Sequence, residues 1–163
     1  VSDTGPLLHL SEAGSFDLLE SAGQIFIPPS VGIEVKRYIP DWHSGPPAWI
    51  KIADLTDTNQ NDAQTWQESG ILDLGEADAL ALARQLHADW FLTDDTAARV
   101  MATSLGIEAH GSLGVLLWSA RNLQYEEAEQ RLNALAASSL WISSSVIAEA
   151  KLALNRLFGR TKE

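Results

Sequence analysis

Short apolar runs recur along this chain, each followed by a stretch with helical periodicity, and that alternation limits the available folds more than any other feature. The runs are VSD at the start, QIFIP at 24–28, AWIKIADL at 48–55, DWFLT at 89–93 and IEAHG at 107–111. Between them lie TGPLLHLSEAG, PSVGIEVKRYI, the polar NDAQTWQESG ending at Gly70, LGEADALALARQLHA, and DTAARVMATSLG closed by Gly106. Three helical stretches follow, SLGVLLWSARNL, YEEAEQRLNALAAS and SVIAEAKLALNRLFG, with LWIS at 140–143 as a candidate edge strand. The segment from Pro40 to Pro47 reads as loop. Strands alternating with helices predict a central parallel sheet covered on both faces, a three-layer α/β/α domain. Ligands of such sheets bind at the carboxyl ends of the strands, where Asp3 and Asp94 both stand.

With 163 residues, 45% of them apolar, the chain predicts a single domain over 1–163, the helices from about 122 onward being tied least firmly to the pattern. It has no cysteine, which excludes disulfides, thiolate zinc sites and cysteine nucleophiles and suits a reducing, cytoplasmic setting. No apolar run approaches a membrane span and no signal-peptide pattern opens the chain. Val1 reads as the middle of a first strand, so a few residues are expected upstream. The formal net charge of −11 argues against broad attraction to nucleic acid or anionic membrane. A polyanionic substrate would need local help from metal ions, from Lys36–Arg37 or Arg156–Arg160–Lys162, or from a basic partner; charge alone suggests no more than an acidic coat.

Two glutamates sit on the apolar side of their helices. Glu34 lies within the stripe Val31, Val35, Tyr38, and Glu76 aligns with Ala79, Leu80, Ala83 and Leu86, whereas Asp78 falls about 200° further round. Inward carboxylates are costly unless paired, hydrogen-bonded or bound to metal, and neither stripe supplies a basic partner. Asp3, Glu34, Glu76 and Asp94, with Asp95 as a further candidate, would make an all-oxygen cluster of the kind preferred by Mg²⁺ or Mn²⁺. Taken singly, three of these acids have plainer roles. Asp3 can make an Asx-turn before Pro6, Glu76 can favour the first turn of its helix, and Asp95 can cap the helix from Thr96 and pair with Arg99. Glu34, mid-helix, has none.

The ordered set SDTGPLLHL, IPPSVGIEV, LGEADALALA, WFLTDDTAARVMATSLGI and HGSLGVLL resembles the PIN domains, in particular the VapC-like toxins, from Val1 to about Trp118. The resemblance implies a Mg²⁺- or Mn²⁺-dependent ribonuclease with Asp3, Glu34, Glu76 and Asp94 as its acids, Asp95 being an additional metal ligand or only a cap. Thr4 matches the hydroxyl residue often found beside the family's first aspartate, and with Arg99 is expected to contact substrate. The resemblance also implies an antitoxin partner, RNA as substrate and a homodimer, with no membrane involvement.

Several other functions compete. A phosphoryl-transfer enzyme with Asp3 as nucleophile would want a lysine near the phosphate, and none lies between Lys51 and Lys151. A Ser-His-Asp hydrolase fits poorly, because HGSLG lacks the nucleophile-elbow spacing. His9, His43, His87 and His110 are scattered and are expected to be structural or exposed. The serious alternative is a non-catalytic PIN-fold module that binds RNA or protein. The last helix carries the stripe Val146, Ile147, Ala150, Leu154 and Phe158, expected to pack on the domain or on another chain.

Overall fold

The computed structural model describes residues 1–160, so Lys162 of the second basic group lies outside the described residues. The chain runs α1 (Thr4–Glu12), α2 (Asp17–Ser21), β1 (Ile25–Ile27), α3 (Pro29–Val35), β2 (Ile50–Ile52), α4 (Asp57–Glu68) and α5 (Leu74–Gln85). It continues through β3 (Phe91–Leu92), α6 (Thr96–Ser104), β4 (Ala109–His110), α7 (Ser112–Ser119), α8 (Tyr125–Ala136) and α9 (Ser144–Leu157). Short 3₁₀ turns occupy Pro40–Ser44, where the sequence suggests only loop, and Ala120–Asn122. The helix starts follow from local chemistry. Asp3 accepts from the Gly5 N–H, Asp95 from the Ala98 N–H and the Ser143 hydroxyl from the Val146 N–H, while Pro29 supplies a preset φ at the start of α3.

The strands are parallel. β1 pairs with β2 in the register Ile25↔Ile50, Phe26↔Lys51, Ile27↔Ile52, and β3 with β4 in the register Phe91↔Ala109, Leu92↔His110. Residues 1–3 run between the two pairs: Asp3 N–H donates to Leu92 O at 3.0 Å, Leu92 N–H to Val1 O at 2.7 Å, and Ser2 N–H to Phe26 O at 3.0 Å. Toward β1 the ladder stops there, because the next donor in a parallel register would be Pro28, which has no N–H. The expected α/β chain with parallel strands is therefore present, but as two two-stranded sheets bridged at Ser2–Leu92 rather than as one continuous central sheet.

α5 is buried nearly all round, with Ala77, Ala79, Leu80, Ala81, Leu82 and Ala83 in the core. Its alanines let neighbouring helices and β3 approach closely. Leu7, Leu10, Val31, Phe91, Leu116 and Leu132 join the same core, as do Ala150 and Leu154 of α9, so the last helix packs on its own domain. Replacing a side chain such as Leu80 by alanine should cost roughly 2–5 kcal/mol. LWIS is not a strand. Just before it, Glu12 takes the N–H and the hydroxyl of Ser139, and Leu140 N–H donates to the Ser138 hydroxyl rather than to a neighbouring strand. No helix among the described residues is long and apolar enough to cross a membrane.

Candidate active site

The carboxyl ends of residues 1–3 and β3, the first turn of α5 and the last turn of α3 converge on a cleft of about 410 Å³ lined by Asp3, Thr4, Glu34, Glu76, Asp94 and Asp95. All five acids read from the sequence thus face one space, together with Thr4. Arg99 does not line it; it borders an adjoining groove that shares Asp94 with the cleft.

Asp3 is 3% exposed. Its burial, reinforced by the charges of Asp94 and Glu76, pushes its carboxyl up to about 8, against the opposing pull of hydrogen bonds from Thr93 and Gly5. Glu76 forms a capping box with Asp73, accepting from the Asp73 N–H at 2.9 Å. Partial burial raises its pKa, the Asp73 hydrogen bond lowers it, and the charges of Asp95, Asp73 and Glu34 raise it further. The Thr4 hydroxyl donates to Glu34 Oε2. Asp94 is held on both oxygens: Ser112 N–H donates to Oδ1 at 2.7 Å and Ser112 Oγ–H to Oδ2 at 2.5 Å, while His9 Nδ1 lies 2.7 Å from Oδ2.

Two glycines leave room for these groups. A Cβ at Gly75 would stand 2.8 Å from Glu34 Oε2, and one at Gly111 would stand 2.7 Å from Asp94 Oδ1 and 3.0 Å from an Arg99 Nη. Neither tolerates a side chain without displacing a group of the site.

Several expectations need correction. Glu34 does face the cleft, but Tyr38 does not extend its stripe: α3 ends at Val35 and Tyr38 is exposed. Because α5 is buried on nearly every side, its periodicity does not separate Glu76 from Asp78. Asp78 is half-buried and accepts from Ser30 Oγ at 2.6 Å in the α3–α5 contact, away from the cleft. Asp95 caps α6, but Arg99 donates to Thr93 O at 3.2 Å instead of pairing with Asp95. Arg160 is engaged by Glu126 at 2.6 Å, so it is not free for substrate. His9 is neither idle nor remote. It lies one turn beyond Gly5 on the same face of α1, and a Cβ at Gly5 would stand 3.3 Å from Asp94 Cβ, so the face of α1 that meets Asp94 also carries His9, a placement that no sequence signal carried.

The oxygen-rich donor set matches the chemistry of a hard divalent cation. Among the described residues, however, no three acidic or imidazole side chains stand close enough together to hold a metal ion as they are placed.

Parallel strands delivering acids to one carboxyl-edge cleft define an α/β protein with an acidic site. The chain belongs to the PIN-domain proteins: the family model DUF3368, described as a PIN domain, matches residues 1–156. Comparison with curated proteins and with solved structures found no significant match. PIN domains are generally nucleases and typically use divalent metals, which gives this chain a nuclease-type function at the coarse level.

Proposed function

We propose that this chain is a Mg²⁺- or Mn²⁺-dependent endoribonuclease of the VapC-like toxin group, acting in the cytoplasm and restrained by an antitoxin. The observation that carries this reading is the near-complete burial of Asp3 among other acids in one open cleft, an arrangement unfavourable without a counter-charge. Asp3 and Asp94 would hold the cation, with Glu76 and Asp95 completing the set. Once bound, the cation would supply positive charge against the scissile phosphate and acidify water.

The chain's own groups position the reaction. Glu34, steadied by the Thr4 hydroxyl, orients the attacking water and takes its proton; the new P–O bond forms as the bond to the leaving ribose oxygen breaks, that oxygen takes a proton from solvent water, and Glu34 returns its own to solvent. Ser112 and His9 fix the Asp94 carboxylate. In this reading the two strand pairs and residues 1–3 act as one platform between helical layers. An antitoxin would inhibit by placing a basic residue in the acidic cleft, and exposed Ile33 and Leu74 offer apolar surface for a homodimer.

One observation favours the rival, a non-catalytic RNA- or protein-binding module: Asp94 and Glu76 already have internal hydrogen-bond partners. Incubating the protein with structured and unstructured RNAs in Mn²⁺ and in EDTA decides. Cleavage in Mn²⁺ alone is expected, and its absence from every RNA would leave the binding module.

A further inference from the structure

We propose that Trp141 and Arg99 form a subsite for an unpaired nucleotide beside the acidic cleft, with Trp141 as the surface on which its base stacks. The proposal rests on the RNA-directed reading above. Trp141 is 84% exposed, the most exposed large apolar side chain among the described residues. It lines both the acidic cleft and a groove of about 550 Å³ that continues from it past Asp94 to Arg99. Its position, shared by the acidic cleft and the groove, puts an open aromatic face beside the path a bound strand would take.

The segment carrying the ring is anchored. Glu12 accepts from Ser139 N–H at 2.8 Å and from Ser139 Oγ–H at 2.7 Å; burial alone would raise the Glu12 pKa, but these hydrogen bonds hold it below its ordinary value. Leu140 and Ile142, on either side, pack against the core, so the alternation turns Trp141 outward on a fixed backbone. The anchored backbone keeps the indole at the mouth of the groove, so that binding has only its two χ angles to fix.

Charge selects the occupant. Arg99 is exposed and forms no ion pair among the described residues; its one hydrogen bond, to Thr93 O, leaves most of its five N–H donors free. On a chain of net charge −11, an unneutralised guanidinium lining the same groove as an exposed indole suits a phosphate followed by a base. Across the cleft, Arg37 lies in a second groove that shares Glu34 and Gly75 with the acidic site, and it too forms no ion pair among the described residues. A single strand crossing the acids would therefore meet a cation on each side. A duplex, whose bases are already stacked, gains nothing from the indole.

The test uses the full chain in the Glu34→Gln background with Mn²⁺, which keeps substrate whole, and a labelled unstructured octaribonucleotide followed by anisotropy. Trp141→Ala should weaken binding by roughly tenfold, Trp141→Phe should retain most of it, and binding of a perfect RNA duplex should be unchanged. Equal binding by Trp141→Ala, an equal loss for duplex, or no RNA binding at all overturns the subsite. So does a fall in light-scattering mass in Trp141→Ala with RNA binding intact, which would mark a protein contact. Trp141-dependent binding by a chain that, with Glu34 restored, cleaves nothing would remove the nuclease reading and leave the subsite standing.

Discussion

His9 Nδ1 stands 2.7 Å from Asp94 Oδ2, joining the second turn of α1 to the end of β3 across 85 residues of sequence. With Ser112 on the other side, the imidazole fixes the direction of the one acid that reaches the cleft directly from a paired strand. Outer partners of this kind commonly contribute 10–100-fold to affinity or activity. His9→Ala should accordingly lower RNA cleavage in Mn²⁺ by about tenfold or more while leaving the melting temperature within a few degrees of wild type. Unchanged kinetics would reduce His9 to a packing residue.

Asp94→Asn and Asp3→Asn should abolish cleavage with the fold intact by circular dichroism, because each removes a charge from the cleft. Asp78→Asn should change little, since an amide oxygen can still accept from Ser30. Loss of activity in Asp78→Asn as deep as in the other two would mean that the acids are wrongly assigned.

Asp3 makes stability depend on pH in a definite direction. Its carboxyl is raised to about 8 in the fold from 3.8, so between those values the folded chain holds a proton that the unfolded chain releases. The contribution is full below about 4 and is lost as pH rises through 8, by an amount on the order of a few kcal/mol. Asp3→Asn should therefore raise the melting temperature at pH 8 in EDTA and do so much less at pH 5. Asp95→Ala should do the opposite, lowering it by about 2–4 °C at either pH, as expected for the loss of a helix cap worth about 1 kcal/mol. A lower melting temperature for Asp3→Asn at pH 8 would show that the buried carboxyl does not destabilise the fold, since an asparagine oxygen can still accept from Gly5 N–H.

Light scattering across a wide concentration range should show a dimer, and Ile33→Glu should shift it to monomer without altering the fold. Monomer at every concentration in the wild type would remove the homodimer.

Much of this was legible in the sequence because it depends on local rules. Apolar runs ending in Asp3 and Asp94 marked strand ends, and Pro29, Asp95 and Gly106 marked helix boundaries. The illegible parts depend on tertiary neighbours. α2 is five residues long, too short to display a period. LWIS alternates like a strand, yet Glu12, 127 residues from Ser139, supplies the hydrogen bonds that keep it a loop. Glu76 looked anomalous because an inward glutamate in a first turn and a capping-box glutamate are the same residue seen from two sides. His9 could not be joined to Asp94 without knowing that the segment before α1 lies beside β3.

The cleft is shaped as much by two missing side chains as by the acids themselves. A Cβ at Gly75 or Gly111 would press on Glu34 or Asp94, yet neither glycine carries a charge or a side chain of its own. A search for inactive variants would consequently return methyl additions at these positions alongside the acid replacements. In such a collection yield and activity should come apart. Gly75→Ala displaces the flexible end of Glu34 and should accumulate as well as wild type, whereas Gly111→Ala presses on Asp94 and Arg99 together and should lose cleavage first and solubility second. An alanine map of this domain would trace the outline of its substrate space in positions that hold no chemistry at all.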